Sequence, residues 1–368
     1  MQKNQLILSV KDLNIKFNLR GKVLHAIRGI DLDVYHGEVL AIVGESGSGK
    51  SVFTKSFMGL LDANGSISSG TIDYYGADDG KPIRLSELTK EKDITVVPFY
   101  VSFEEGKYQK EMIEIGVREF YQEMVDHPDV YPKSSMPSVQ DYVDAFLPFV
   151  KAGTPIICIC ITTKFSGSMQ SALNAKAILE EEYPNAQIYV CDSTVNTVLQ
   201  GIYVLEAVRL RDAGKSYQES IDRLNEIKSS GRIFFTVGNM EYLKHGGRIG
   251  KVASVAGSLL GTKPIITLKE GEIFPSGIGR SRRKTVDKNI DLLLAYFAEE
   301  KADIANYSVC VGYGYDYEEA VEFRDRLAGR LKEKGYDIDT IPTFQIGATI
   351  GVHTGPYPLG IGVVKRAI

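Results

Sequence analysis

Hydrophobic and polar positions along the chain alternate between two periods. Near-alternation over Leu6–Phe17 and over His25–Tyr35 predicts two β-strands, and Val39–Val43 reads as a third, short apolar strand. Helical spacing takes over through Val52, Phe53, Phe57, Met58, Leu60 and Leu61. Farther on, strand-like Thr95–Phe103, Ile156–Ile161 and Ile188–Cys191 alternate with helix-like Val139–Val150, Ala172–Glu182 and Val195–Ala213. That order predicts βαβ units around a parallel sheet. A second set follows Ser229-Ser230-Gly231. It runs through strand Ile233–Val237, helices Met240–Leu243 and Val252–Leu260, strand Ile265–Leu268 and a long helix Arg283–Glu300. Strand Val309–Tyr313, helix Tyr317–Lys334 and strands around Thr343–Thr349 and Ile361–Val364 complete it. The fold class is α/β, in two lobes behind an N-terminal segment of different character.

Composition narrows the picture without deciding it. The 368 residues suffice for two or three domains, and 43% apolar with 24% charged residues is ordinary globular usage. A net charge of -4 gives no basic field for nucleic acid. No apolar window is long enough to span a bilayer, and Met1–Asn14 lacks the apolar core of a secretory signal, which points to a cytoplasmic protein. Cys158, Cys160, Cys191 and Cys310 sit in apolar strands without metal-ligand spacing, so they read as reduced core residues and no metal site is expected.

Candidate chemistry concentrates in loops. The apolar run Ile156–Ile161 ends in Ser166-Gly167-Ser168, which opens a helix. Free N–H groups, two hydroxyls and a glycine there make either a small anion site or an ordinary serine cap. Pro132-Lys133-Ser134-Ser135-Met136-Pro137-Ser138 places hydroxyls in a proline-pinned turn. Val352-His353-Thr354-Gly355-Pro356 puts an imidazole and a hydroxyl in a glycine-rich turn between the last two strands. Each has a purely structural reading as a cap, a turn or a satisfied histidine. Nearer the N-terminus, Gly44-Glu45-Ser46-Gly47-Ser48-Gly49-Lys50-Ser51 matches the phosphate-binding P-loop pattern in a strand–loop–helix setting. Its glycines suit a wrapped phosphate, Lys50 the terminal phosphates and Ser51 a Mg²⁺ ion.

Two family resemblances cover the chain in succession. LSVKDLNIKF, AIRGIDLDVYHGEVLAIVGESGSGKS and SGTIDYYG resemble the start of an ABC transporter ATPase of the oligopeptide-permease type. The resemblance implies Phe17 as the aromatic that stacks on adenine, with ATP and Mg²⁺ at Gly44, Ser46, Gly47, Gly49, Lys50 and Ser51. It stops near Asp93. No LSGGQ-like signature follows, and the nearest Walker B imitation, Ile188–Asp192, is followed by Ser193 instead of a glutamate. Residues 1–93 therefore read as a truncated, catalytically incomplete fragment.

From residue 94 the chain resembles the DegV family of bacterial fatty-acid-binding proteins. DITVVPFYVSF, YPKSSMPSVQDYVDAF, ITTKFSGSMQSA, YLKHGGRIGK, GSLLGTKPIITLKEGEI and VHTGPYPLGIGV carry the likeness in order. It implies lobes at 94–222 and 223–368, the first lacking the family's opening strand. It also implies a long-chain fatty acid between them, its carboxylate held by Ser134, Ser135, Ser166, Gly167, Ser168, His353 and Thr354. Ser134 and Ser168 stand where the family has Thr, and Tyr357 replaces a Gly, which is expected to narrow the pocket mouth. Arg248 and Arg280 match positions that face a partner fatty-acid kinase. The expected function is a carrier with no catalytic residues and no required cofactor. The alternatives are an ATP-binding subunit of an ABC peptide importer, and a carrier with a nucleotide-sensing P-loop.

Overall fold

A computed structural model of the chain describes residues 6–19, 22–35, 38, 40–43, 48–57, 61, 65–74, 83–84, 94–252, 263–336 and 341–368. It divides into two compact units, Met1–Val96 and Val97–Ile368.

The described residues of the first unit form an antiparallel sheet and one short helix. Strands β1 (Leu6–Leu19) and β2 (Lys22–Tyr35) precede helix α1 (Lys50–Phe57), and β3 (Gly65–Tyr74) and β4 (Ile83–Arg84) complete the order β2-β1-β3-β4. Leu13, Ile15 and Phe17 alternate onto the buried side, a bulge at Lys11–Asp12 brings Val10 to the same side, and Ile27, Ile72 and Phe53 of α1 join them. The strand expected at Val39–Val43 does not form. Val39 lies outside the described residues, and Leu40–Val43 have no regular structure, with Val43 87% exposed. A P-loop strand is normally buried among parallel neighbours, and the described strands of this unit pair only antiparallel.

The second unit begins with β5 (Tyr100–Glu104), β6 (Lys107–Lys110), α2 (Val117–Asp126) and β7 (Lys133–Ser135). Two expectations change here. Thr95–Phe99 are not strand, and Pro98, with no N–H to donate, sits at the break. Lys133–Ser135, expected as a turn, form a strand antiparallel to β5 in a sheet ordered β6-β5-β7.

Helix α3 (Val139–Lys151) starts with a capping box in which Ser138 accepts from the Asp141 N–H. Asp141 in turn accepts from Tyr100 Oη at 2.9 Å and Lys110 Nζ at 3.3 Å. Burial would raise the Asp141 carboxyl. The hydrogen bonds from Ser138, Tyr100 and Lys110 outweigh it and bring the pKa down to about 2. One carboxylate thus fastens β5 and β6 to the start of α3.

Strands β8 (Ile156–Cys160) and β9 (Ile188–Asp192) pair in parallel around the crossover helix α4 (Ser168–Glu182). Helix α5 (Thr197–Asp212), α6 (Tyr217–Ile227), β10 (Arg232–Thr236), α7 (Glu241–His245), β11 (Lys263–Lys269) and β12 (Glu272–Gly279) follow. Then come α8 (Arg282–Glu299), β13 (Tyr307–Tyr313), α9 (Tyr317–Glu333), β14 (Thr343–Gln345), α10 (Ala348–Thr354) and β15 (Leu359–Lys365). The six-stranded sheet runs β12-β11-β10-β15-β13-β14, and only its β13–β14 pairing is parallel. The βαβ expectation therefore holds for β8–α4–β9 and fails for the larger sheet.

Period two along β10 explains how that sheet is covered. Phe234 packs with Leu293, Phe297, Phe323 and Leu327 of α8 and α9, while Ile233 faces Leu199, Ile202 and Tyr203 of α5. Each such side chain, fully buried, contributes about 1.5–3 kcal/mol. Ile157, Ile159 and Tyr189 of the parallel pair pack against the same core, and Gln200 of α5 donates to Ile159 O at 3.1 Å, so α5 touches both sheets.

The C-terminal region departs most from expectation. The strand near Thr343–Thr349 ends at Gln345, and His353 lies on a helix, not in a turn between strands. Gly347 is extended (φ -60°, ψ 155°) and Gly355 closes the helix at φ 76°. Seven residues give too few turns for a 3.6-residue period to declare itself. Of the expected helix Val252–Leu260, Val252 is buried and residues 253–260 lie outside the described residues.

Candidate functional site

Three polar groups from a strand, a loop and a helix meet within the second unit. Ser134 projects from edge strand β7, Ser166 precedes α4, and His353 sits in the last turn of α10. Ser134 Oγ and His353 Nε2 are 3.1 Å apart across 219 residues of sequence. Ser166 Oγ accepts from the Ser168 N–H at 3.1 Å, which holds the turn at the start of α4 and aims the remaining capacity of the hydroxyl at the same space. That space is a cavity of about 240 Å³.

Ser134, Ser135, Ser166, Gly167, Arg248, His353 and Thr354 are all in its wall. Its apolar side comes from Phe99, Ile161, Phe165, Phe235, Leu243 and Ile273. Hydroxyls and an imidazole beside hydrocarbon suit a ligand with a small polar head and an apolar body. The Thr354 hydroxyl donates to Ile350 O at 2.9 Å, so it is already occupied.

Two expected residues are elsewhere. Ser168 is 1% exposed and faces the core beside Tyr142, because the first turn of α4 points it inward with Ser171 and Ala172. Arg280 is exposed, just beyond β12, and is not in the wall. Tyr357 lines a neighbouring cavity with Tyr131, Tyr242 and Lys263 rather than this one. Sequence reasoning missed Thr349 and Asn196 as polar wall residues. Thr349 lies four positions before His353, a spacing that becomes a signal only once the segment is known to be a helix.

His353 is the most perturbed group in the cavity. Burial, and then the charge of Arg248, lower its pKa to about 4, so it is neutral near pH 7. Its Nδ1 is buried without a hydrogen-bond partner and lies against Gly246, where an added Cβ would collide with it. Arg248 is held over the cavity by Phe165 O at 3.1 Å and Gly246 O at 2.9 Å.

The depressed His353 value sets a pH dependence. The unfolded chain takes up a proton at this histidine near pH 6.5, which the folded chain refuses until about pH 4. Stability is therefore intact above pH 6.5 and falls as the pH drops, by about 2 kcal/mol at pH 5. Thermal melts of ligand-free protein at pH 7 and pH 5 should show a smaller loss for His353→Gln than for the unmodified chain. Equal losses would refute the assignment.

The P-loop residues give a different picture. Gly44, Ser46 and Gly47 lie outside the described residues. Gly49 has φ 91° and Lys50 is the first residue of α1, its Nζ 3.4 Å from Ser48 Oγ. Ser51 is exposed. Phe17 is 8% exposed in the core of the first unit, against Gly65, so its ring offers no free face for adenine.

Among the described residues no group of three or more His, Cys, Asp or Glu side chains is placed to hold a metal. No described helix is long and apolar enough to cross a membrane.

Comparison with known proteins decides the family. The model described as "Uncharacterised protein, DegV family" matches residues 84–366. The chain belongs to the DegV family. A DegV domain-containing protein of Clostridium perfringens is 30% identical over 281 residues, covering 76% of this chain and 95% of that protein. One from Halalkalibacterium halodurans is 31% identical over 273 residues, 74% of this chain and 91% of its own. Among solved structures, a stearic-acid-binding protein from Eubacterium ventriosum superposes with TM-score 0.72 at 43% identity, covering 76% of this chain and 94% of that one. DegV of Bacillus subtilis, a fatty-acid-binding protein, gives 0.62 at 26% identity with the same coverage. The mixed α/β architecture is thus the DegV fold. An ABC transporter model matches residues 27–127 and overlaps the DegV match over 84–127.

Proposed function

We propose that this DegV protein is a fatty-acid carrier. A long-chain acid lies in the cavity of the second unit, its carboxylate taking hydrogen bonds from Ser134, Ser135 and Ser166 beside His353. The observation that carries this is the 3.1 Å approach of Ser134 and His353 on the polar side of a cavity whose other wall is hydrocarbon. The stearic-acid-binding relative and the B. subtilis protein support it by family. A buried carboxylate is tolerable when several donors meet it, and each buried CH₂ of the tail contributes about 0.8 kcal/mol. Affinity comes from the tail and orientation from the head.

The finer reading follows the resemblance. Residues 94–222 and 223–368 act as two lobes of a cytoplasmic carrier that catalyses nothing itself. The carrier offers its ligand head group to a fatty-acid kinase, with Arg248 at the cavity mouth and Arg280 on the surface facing that partner. Residues 1–93 are a truncated ABC segment without ATPase activity. The buried ring of Phe17 and the irregular Leu40–Val43 support that part.

Native mass spectrometry of the full chain tests the proposal. One co-purified fatty acid per chain, kept in Lys50→Ala, is the expected result. A chain that carries no lipid and takes up no added palmitate overturns it. ATP turnover abolished by Lys50→Ala would favour the importer-subunit reading instead, for which the match at 27–127 speaks.

A further inference from the structure

Helix α10 supplies Thr349, Ile350, His353 and Thr354 to the cavity, yet it is a seven-residue helix. A helix that short is not stable by itself, and its orientation has to come from its neighbours. Besides its packing against α7, two contacts bear on that orientation. Underneath, Gly351 rides on Phe120 and Tyr121 of α2 so closely that an added Cβ would lie 3.0 Å from both rings. At the start, the Glu111 carboxylate accepts from Thr349 N at 3.2 Å and from Thr349 Oγ1 at 2.5 Å. Gly347 gives the carboxylate room, since a Cβ there would strike Glu111 Oε1.

Glu111 is only 9% exposed, and no basic side chain pairs with it among the described residues. Its neighbour Lys110 turns to Asp141 instead. A buried carboxylate with no cation is costly to keep. Here it is spent on the one helix that carries the site histidine. Thr349 and His353 are four residues apart and share a face, so holding the first sets the rotation that delivers the second.

We propose that Glu111 is a positioning residue of the head-group site: by gripping Thr349 it sets the rotation of α10 and so keeps the His353 ring against Ser134. The inference rests on the carrier reading for its functional meaning, but its geometry can be tested without any ligand.

The experiment is a nitrogen-15 NMR titration of His353 in the ligand-free full chain. It compares Glu111→Leu and Glu111→Gln with the parent, and uses Leu327→Ala as a control that destabilises the distant α9 core. Removing the negative charge of Glu111 can by itself only lower the His353 pKa. Release of the ring from its buried place raises it. Glu111→Leu should therefore raise it by about one unit or more, toward the ordinary histidine value. Glu111→Gln, which keeps an acceptor for Thr349, should leave it at or below the parent value, and Leu327→Ala should leave it unchanged. A Glu111→Leu protein whose His353 titrates at or below the parent value overturns the proposal, as does a Leu327→Ala protein that shifts like Glu111→Leu. Binding supplies the second arm. Glu111→Leu should lower the preference for palmitic acid over hexadecanol about ten-fold. If the parent shows no such preference, the carrier reading fails while the NMR result still decides the role of Glu111.

Discussion

Ser134→Ala weakens palmitate binding by about ten- to a hundred-fold and leaves hexadecanol binding nearly unchanged. Alanine removes the hydroxyl and adds no bulk to the cavity wall, and backbone pairing keeps the antiparallel register of β7 with β5. What is lost is one hydroxyl donor and the polar partner of His353. A hydrogen bond to a charged group is worth about 1.5–3 kcal/mol, and each 1.4 kcal/mol is a factor of ten in affinity. The alcohol carries no charge and can make only neutral hydrogen bonds there, so its affinity reports chiefly the apolar wall. Isothermal titration with both ligands separates the two contributions. Equal losses for acid and alcohol would mean that Ser134 shapes the cavity rather than meeting a carboxylate.

The parts of this site that were legible in the sequence are those carried by local chemistry. Ser166 and Gly167 follow an apolar strand and open a helix, a local signal, and they stand in the cavity wall. Ser168, one residue on, fails because helical geometry turns it into the core, and a residue list at a turn carries no direction. Ser134 was legible as a hydroxyl but not as a strand residue. Its strand is three residues long and exists because β5 pairs with it, which is a tertiary fact. His353 stood out as an imidazole, yet its setting was read as a turn.

The N-terminal segment shows the opposite limit. Its P-loop pattern is the most specific motif in the chain, but Phe17 turns inward and Leu40–Val43 join no strand. A motif specifies a site only when the surrounding sheet is present to hold it. The larger sheet failed for a related reason. Strand–helix alternation was read as parallel crossovers, whereas β10, β11 and β12 are consecutive antiparallel neighbours and period alone does not encode pairing direction.

Gly246→Ala tests the geometry of the histidine from the other side. Gly246 has φ -73° and ψ -8°, a conformation open to alanine, so any effect arises from space alone. The added methyl carbon falls on His353 Nδ1, which is buried and has no hydrogen bond to trade. Either the ring leaves Ser134 or α7 moves away from α10. Overpacking of this kind costs about 1–3 kcal/mol, and acid binding should fall as far as it does in His353→Ala. The double variant Gly246→Ala/His353→Ala decides the cause. With the ring gone the methyl group has room, so the second substitution should cost almost nothing in melting temperature on that background. The coupling between the two sites then equals the whole penalty of the single glycine variant. Additive penalties would instead place the strain in the backbone of α7, with His353 free to accommodate a neighbour, and the close seat assigned to the ring would be wrong.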